Sequence, residues 1–434
     1  MRRTPWMVAA TLVGAATLAH ANPFFIGRYG GLREGPTDPG PFSMYWNPAG
    51  LARPGLHIGL HLQALSRAAT YDRDAESNGV PAEVADANAG EATVSAFGVV
   101  PAVAVGYGFE ITNDFVMGVG AGAFVARAGA ASWDTDLAAP EAYPGAVDGP
   151  QRWAAINTSL IIFSPTCGVG LAHKPSGLSV GLAPVFNVVT LSTVRARNPD
   201  RTERLFDQSG QLAEGRILFE DGEAFGVTLT AGAKWQPADD LAFAVSWHQG
   251  ATYKVNGNAY VTFGVAPETT AKAQIPLQVP DTVRLGADIG ATSWLVVRPL
   301  AEWTDWSVMD RQVATNKANG EPLLVIERDF EDTLAAKLRL DFLVDPRWIV
   351  HVGAGYETGA TPARTHEPGL AESDSWQVGA GFTVDLSESL RLSSSYILQQ
   401  FLDVDVDDSL QKPSVNGHYT DRRQYVTLDL EILL

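Results

Sequence analysis

Residues 376–386, WQVGAGFTVDL, place Trp376, Val378, Ala380, Phe382, Val384 and Leu386 on one face and Gln377, Gly379, Gly381, Thr383 and Asp385 on the other. The two-residue period recurs through the C-terminal half. Leu334, Ala336, Leu338, Leu340 and Phe342 oppose Lys337, Arg339 and Asp341, and Trp348, Val350, Val352, Ala354 and Tyr356 share one face. At the C-terminus Val426, Leu428, Leu430, Ile432 and Leu434 oppose Thr427, Asp429 and Glu431. Successive side chains of a strand point to opposite faces, so these segments are predicted strands with one apolar and one polar face. A soluble sandwich alternates too. Here, however, aromatic residues stand at strand ends, and the polar face mixes charges with glycines. That combination fits a barrel whose outside meets lipid and whose inside is a polar lumen.

The connections support the same reading. Short ones fall at 110–114, 173–177, 236–240, 291–293, 345–347 and 387–389. They alternate with longer ones near 70–92, 132–150, 193–216, 264–279, 311–328, 357–374 and 403–417. Six short turns and seven long loops predict an all-β fold: a transmembrane antiparallel β-barrel of about 14 strands, spanning 56–434, with both termini on the short-turn, periplasmic side. Between 93 and 191 the alternation is blurred. Pro101, Pro165 and Pro184 interrupt strands there, and each predicts a bulge or kink, since a closed barrel has no edge to hide a proline.

Two N-terminal stretches stand outside the barrel pattern. Arg2 and Arg3, the apolar run from Met7 to Ala19, and Ala19-His20-Ala21 form a signal peptide over 1–21. Residues 22–55 are too rich in Pro and Gly for a strand and predict a small hatch packed inside the lumen. Within it lies SMYWNPAGL (43–51), an aromatic pair running into a turn-forming Asn-Pro-Ala-Gly.

Composition narrows the function classes. The formal charge of −18 becomes −20 without Arg2 and Arg3, and so acidic a chain is not a nucleic-acid binder. Charged residues are only 18% of the whole, while glycines number 42, a balance that suits strands facing lipid. A single cysteine, Cys167, excludes an internal disulfide framework and is read as a small packed residue.

Enzyme-like motifs fail on context. Gly177-Leu178-Ser179-Val180-Gly181 matches Gly-x-Ser-x-Gly, but that elbow needs a helix after the strand and none follows. The glycines of GVGAGAF lack the Lys-Ser/Thr ending of a phosphate loop. His57 and His61 share a strand face without a third metal ligand. No catalytic residue, metal or cofactor is assigned.

At MYWNPAGL the chain resembles the FadL-type family, outer-membrane transporters of long-chain fatty acids and other hydrophobic compounds. VPDTVRLGADIG (279–290), AEWTDWSVMD (301–310), FEDTLAAKLRLDFLVDPRWIVHVGAGYETGATPA (330–363) and GLSVGLAPVFNVV (177–189) match in the family's order, so the resemblance covers the mature chain. It implies a monomeric barrel with an N-terminal hatch that passes hydrophobic small molecules, such as long-chain fatty acids or aromatic hydrocarbons, from the lipopolysaccharide side through a lumen site. It further implies lateral release through a gap at a kinked third strand. Asn47, Pro48 and Ala49 take the position of the family's gating element. Two departures stand out: the chain ends in Leu434 rather than an aromatic residue, and 115–131 has no proline to kink it, only Gly118, Gly120, Gly122 and Gly129.

The resulting expectation is passive transport of hydrophobic compounds across the bacterial outer membrane, with no enzymatic activity. The alternatives are an outer-membrane lipid-modifying enzyme and a structural or adhesion barrel. Arg284, Lys337 and Arg339 are candidate contacts for a ligand carboxylate; the blander reading, which is preferred, pairs such residues with inward acids such as Asp288, Asp341 and Asp429. Trp303-Thr304-Asp305-Trp306 is read as an interfacial anchor.

Overall fold

Alternating strands close one antiparallel sheet on itself, the first strand, β1 (Gly55–Arg73), pairing with both β2 (Gly90–Glu110) and the last, β19 (Gly417–Leu433). The computed structural model describes residues 32, 35–74, 88–133, 148–204, 206–264, 266–370 and 372–434. The signal peptide expected over 1–21 and the start of the hatch expected over 22–55 lie outside the described residues. The sheet has 19 strand segments forming 14 crossings, because five crossings are broken in two. β7 (Leu241–His248) continues as β8 (Ala251–Phe263), and β9 (Thr269–Val279) continues across Pro280 as β10 (Thr282–Thr292). β11 (Leu295–Thr304) and β12 (Arg311–Asn316), β13 (Pro322–Glu327) and β14 (Thr333–Asp345), and β17 (Leu390–Phe401) and β18 (Val404–Val406) make up the others. No described helix is long and apolar enough to cross a membrane.

The alternation sorts side chains as expected. Leu60, Leu62, Val103, Val105, Val180, Leu182, Leu338, Val378, Val426 and Leu428 are exposed in an outward apolar belt, with Trp235, Trp294 and Trp348 at its short-turn end. Inward positions carry buried polar groups such as His61, Gln63, Arg67, Thr228, Arg284 and Asp429. Cys167 lies on β4 (Asn157–His173) and departs from expectation: it is exposed on the outward face rather than packed.

Three expectations about local structure change. The connection expected near 264–279 is shorter, since β9 starts at Thr269; its inward Ala273, Ile275 and Leu277 alternate with outward Lys272, Gln274 and Gln278. The outward polar face had disguised it as a loop. Residues 311–328 likewise form a hairpin of β12 and β13. Pro101 and Pro184 sit in unshifted register with Leu62 and Leu229. At Pro165 the β4–β5 ladder skips two residues without a shift, and the Ser164 carbonyl is taken by Thr166 Oγ1 at 3.1 Å. The bulge in this region falls instead between Val125 and Arg127 of β3 (Phe115–Ser132).

At the long-loop end a buried knot ties the loops together. Arg152 makes paired bonds of 2.9 and 3.0 Å to Glu214 and one of 2.6 Å to Asn88, and Arg73 pairs with Glu203 at 2.7 Å. Buried ions are stable only when paired in this way.

Candidate functional site

Asn47, Pro48 and Ala49 come together at the short-turn end of the lumen, each for a separate physical reason. A single helical turn, α1 (Ser43–Trp46), ends at Asn47, whose backbone is extended (φ −161°, ψ 103°), as a residue before proline prefers. Pro48 then opens a 3₁₀ turn over Pro48–Leu51, where its missing N–H costs nothing. Asn47 Oδ1 caps that turn by accepting from the Ala49 N–H at 3.1 Å. Its Nδ2 donates to the Pro36 carbonyl at 2.9 Å and to Ala233 on β6 (Gly215–Ala238) at 3.0 Å. The side chain is wholly buried and satisfied, so it joins segment to wall.

The wall is cut to receive that backbone. Gly108, Gly118, Gly170, Gly181 and Gly232 are successive register partners across β2, β3, β4, β5 (Leu178–Arg197) and β6. A Cβ at Gly108 would fall 1.9 Å from the Arg53 oxygen, and at Gly118 1.9 Å from the Leu51 oxygen. At Gly181 it would come within 2.2 Å of the Pro48 carbonyl carbon, and at Gly232 within 2.2 Å of Asn47 Oδ1. The row admits main chain where any other residue would exclude it. Gly118 and Gly120 of β3 also seat the segment: Leu51 would meet a Cβ at Gly120 at 2.8 Å. Phe42, Met44, Tyr45 and Leu51 complete the seat by packing on Ala102, Ala104, Phe124 and Ala183.

Across the lumen the same segment meets a charged wall. Arg298 on β11 binds Asp38 at 2.5 Å, Asp288 at 3.2 Å and Asp341 at 2.8 Å. Arg339 binds Asp341 at 2.9 Å and donates to the Leu32 carbonyl at 2.5 Å, with Asp38 at 3.6 Å. Lys234 donates to the Thr37 carbonyl at 2.7 Å, and Thr37 Oγ1 to Asp288 at 2.6 Å. A cavity of about 100 Å³ opens beside these groups, lined also by Trp46, Leu300, Leu338 and Val378.

The three cations proposed from sequence therefore separate. Arg339 and Lys337 line this cavity, Lys337 lying 4.0 Å from Glu357. Arg284 does not line it; it pairs with Glu302 at 2.5 Å and lies 5.0 Å over the Trp46 ring. Of the inward acids named with them, Asp341 does pair with Arg339, while Asp429 pairs with His61 at 2.6 Å. Ser179 and the GVGAGAF glycines lie within strands β5 and β3.

Toward the loop end, Leu160, Leu191, Ile275, Leu277, Leu324, Ile326 and Leu370 line a cavity of about 70 Å³. Its polar side is Arg195, Arg328, Gln312 and Glu367. Glu367 accepts from Arg328 at 2.7 Å and lies 3.6 Å from Arg195, so two guanidiniums share one carboxylate. Burial pushes the Glu367 carboxyl up, but the two arginines outweigh it and hold it below the usual carboxylate range. Ile162 and Val279, two residues along from Leu160 and Leu277 in one apolar cluster, lead to a smaller cavity of about 20 Å³. There Tyr45 of the segment faces Arg127 and Tyr253.

That inner cavity adjoins a seam in the wall. β2 and β3 are paired only from Glu110↔Val116 to Val103↔Ala123. Beyond that point β2 continues on β1 and β3 continues on β4, and the two are not hydrogen-bonded to each other. Val100, Val125 and Ala128 fill the seam with small apolar contacts. It lies level with the outward, exposed Phe97 and Phe163. It begins past Val103↔Ala123, and the Ala126 bulge of the β3–β4 ladder lies three residues further along β3.

Sequence reading missed Asp38, Arg298, Arg195, Arg328 and Glu367. Arg298 alone carried a signal, an inward parity within LVVRPL. Arg195, Arg328 and Glu367 came from stretches read as loops, where face parity says nothing. Trp303 and Trp306 divide: Trp303 is exposed, while Trp306 is buried against Phe330.

The model of the family described as outer membrane protein transport protein (OMPP1/FadL/TodX) matches residues 177–430. No curated protein matches the chain. Among solved structures, a FadL homologue of Pseudomonas aeruginosa is 16% identical with TM-score 0.74, covering 96% of this chain and 99% of its own. The toluene transporter TodX of P. putida is 13% identical with TM-score 0.67, covering 98% and 99%. The toluene transporter TbuX of Ralstonia pickettii is 15% identical with TM-score 0.60, covering 98% and 100%. At these identities the likeness is one of fold.

Proposed function

The chain belongs to the OMPP1/FadL/TodX family of outer-membrane transport proteins, which move hydrophobic compounds and are not enzymes, and we propose that its own cargo is a long-chain fatty acid carried inward without an energy source. The observation that carries this reading is the outer cavity. A neutral hydrocarbon needs only its leucines and isoleucines, whereas two arginines on a single buried carboxylate leave one positive charge beside an apolar wall. An amphipathic carboxylate satisfies both parts: each CH₂ leaving water contributes about 0.8 kcal/mol, and its head adds a charge-assisted hydrogen bond.

The cavities as they stand hold only a few groups of water size, at roughly 30 Å³ each. A long chain passes only if the N-terminal segment, acting as a hatch, gives way. Asn47, Pro48 and Ala49 are the stiff seat on which that hatch turns, the short-turn end faces the periplasm, and the β2–β3 seam is the sideways exit. Labelled oleate and labelled toluene uptake would be compared in a deletion strain restored with wild type or Arg328→Gln. Rescue of oleate by wild type, and its loss in Arg328→Gln at equal outer-membrane abundance, is expected. Rescue of toluene alone, untouched by the substitution, would move the cargo to toluene, the compound named for TodX and TbuX.

A further inference from the structure

The carboxylate of Asp38 occupies an anion site that belongs to the barrel wall. Among the described residues, the wall brings Arg298, Arg339 and Lys234 to this point and only Asp288 and Asp341 to balance them. Three cations against two carboxylates leave one positive charge, and Asp38, reaching across from the N-terminal segment, cancels it. Glu302 and Glu357 lie close by, but each has its own cation, in Arg284 and Lys337.

We infer that this is a second ligand site, held shut by an internal mimic of the cargo: a fatty-acid carboxylate takes the place of Asp38 on Arg298 and Arg339 and thereby unlatches the hatch. The inference rests on the fatty-acid reading above. The cavity beside Asp38 supplies the apolar half, with Trp46, Leu300, Leu338 and Val378 placed to receive the first part of a chain. Exchange costs little because one carboxylate replaces another, so no buried charge is left uncompensated. It also couples directly to the Asn-Pro-Ala seat. Asp38 lies two residues from Pro36, whose carbonyl accepts from Asn47 Nδ2 at 2.9 Å, so withdrawing Asp38 pulls on the bond that holds Asn47 in place. A neutral ligand can fill the apolar half but offers nothing to the two arginines and cannot displace Asp38. A ligand shifts a two-state element only by its difference in affinity for the two states, and here that difference is the anion site itself.

The test uses the purified full chain in nanodiscs, with oleate and methyl oleate as probes. Losing an internal competitor raises apparent affinity: if the latch leaves the site open about one-tenth of the time, Asp38→Asn binds oleate roughly tenfold more tightly. Methyl oleate binding stays unchanged, and Asp38→Glu, which keeps the charge, stays near wild type. Spin labels at Pro39→Cys and Ser176→Cys in a Cys167→Ser background read the hatch. Oleate should broaden their distance distribution, methyl oleate should not, and adding Asp38→Asn should broaden it without ligand. Unchanged or weaker oleate binding by a heat-modifiable, folded Asp38→Asn barrel overturns the latch, as does an equal gain for methyl oleate. Oleate uptake by wild-type cells, measured alongside, separates the two ideas. Uptake without these affinity changes removes the latch and leaves the cargo reading standing; absence of uptake removes the cargo reading, and the latch with it.

Discussion

Asn47 rests its Oδ1 on the backbone of Gly232, so close that a single added carbon at Gly232 would lie 2.2 Å from that oxygen. The contact joins the one polar side chain of the Asn-Pro-Ala element to the last member of the glycine row. It makes the wall as much a part of the seat as the Asn-Pro-Ala residues themselves.

Gly232→Ala should therefore unseat the hatch while sparing the barrel. Overpacking of this kind costs about 1–3 kcal/mol, and it falls on Asn47 rather than on the β5–β6 ladder. Amide exchange should rise in residues 36–51 and stay unchanged in β5 and β6. Equal exchange throughout would mean that the row is not the seat.

Asn47→Asp should be worse than Asn47→Ala. The amide donates to the carbonyls of Pro36 and Ala233, and a third, Val245, lies at 3.4 Å. An aspartate presents an acceptor to all three, whereas alanine merely leaves them unmatched, at about 1–3 kcal/mol for a buried polar group. Permeation of a normally excluded polar dye should increase in the order wild type, Ala, Asp. A reversed order would count against the hydrogen-bond account.

The loop between β15 (Trp348–Glu357) and β16 (Ser375–Ser387) should carry two opposed pH dependences. Burial pushes the Glu372 carboxyl up to about 7, against the pull of Arg423 at 3.3 Å. Its protonated form favours the folded loop, a contribution fully present below the usual 4.5 and lost as pH rises through about 7. Burial pushes His366 down to about 4, so its neutral form favours the fold, a contribution present above the usual 6.5 and lost as pH falls through about 4. Between 4.5 and 6.5 the two trends offset each other. Glu372→Gln removes the first, and amide protection of the loop, corrected for intrinsic exchange, should then fall steadily on acidification across that range. A flat profile in the variant would refute the assignment.

Cys167 should be a reporter of the lipid face. It is exposed on β4 beside the outward Val169 and Leu171. In intact outer membranes an alkyl maleimide should label it and a charged maleimide should not, and detergent should remove the difference. Labelling by the charged reagent without detergent would place this position in water.

How much of this could be read from the chain depends on what each feature needs. The six short turns were found within a few residues, because turn residues and the break in alternation are local. β9 was missed because it rises above the apolar belt, so the hydrophobic signal of its outward face disappears while its inward Ile275 and Leu277 remain. The prolines misled for a related reason: a residue type states which hydrogen bond is lost, but only the ladder around it shows whether the register must shift. Asn47, Pro48 and Ala49 could be singled out, yet nothing local says that Gly232, far along the chain, is shaped to fit them.

By itself the sequence determined most of the strands, the crossing count of the barrel and, where the alternation is clear, which face of a strand meets lipid, because a period of two is a property of neighbouring residues. Closure decided the rest. Register across five strands aligned the glycines into a seat, and the diameter of the barrel set Asp38 against Arg298. The β2–β3 ladder ended at Val103↔Ala123, within the apolar belt. These are relations between residues separated by tens to hundreds of positions, and they exist only once the sheet has curled back to pair β19 with β1.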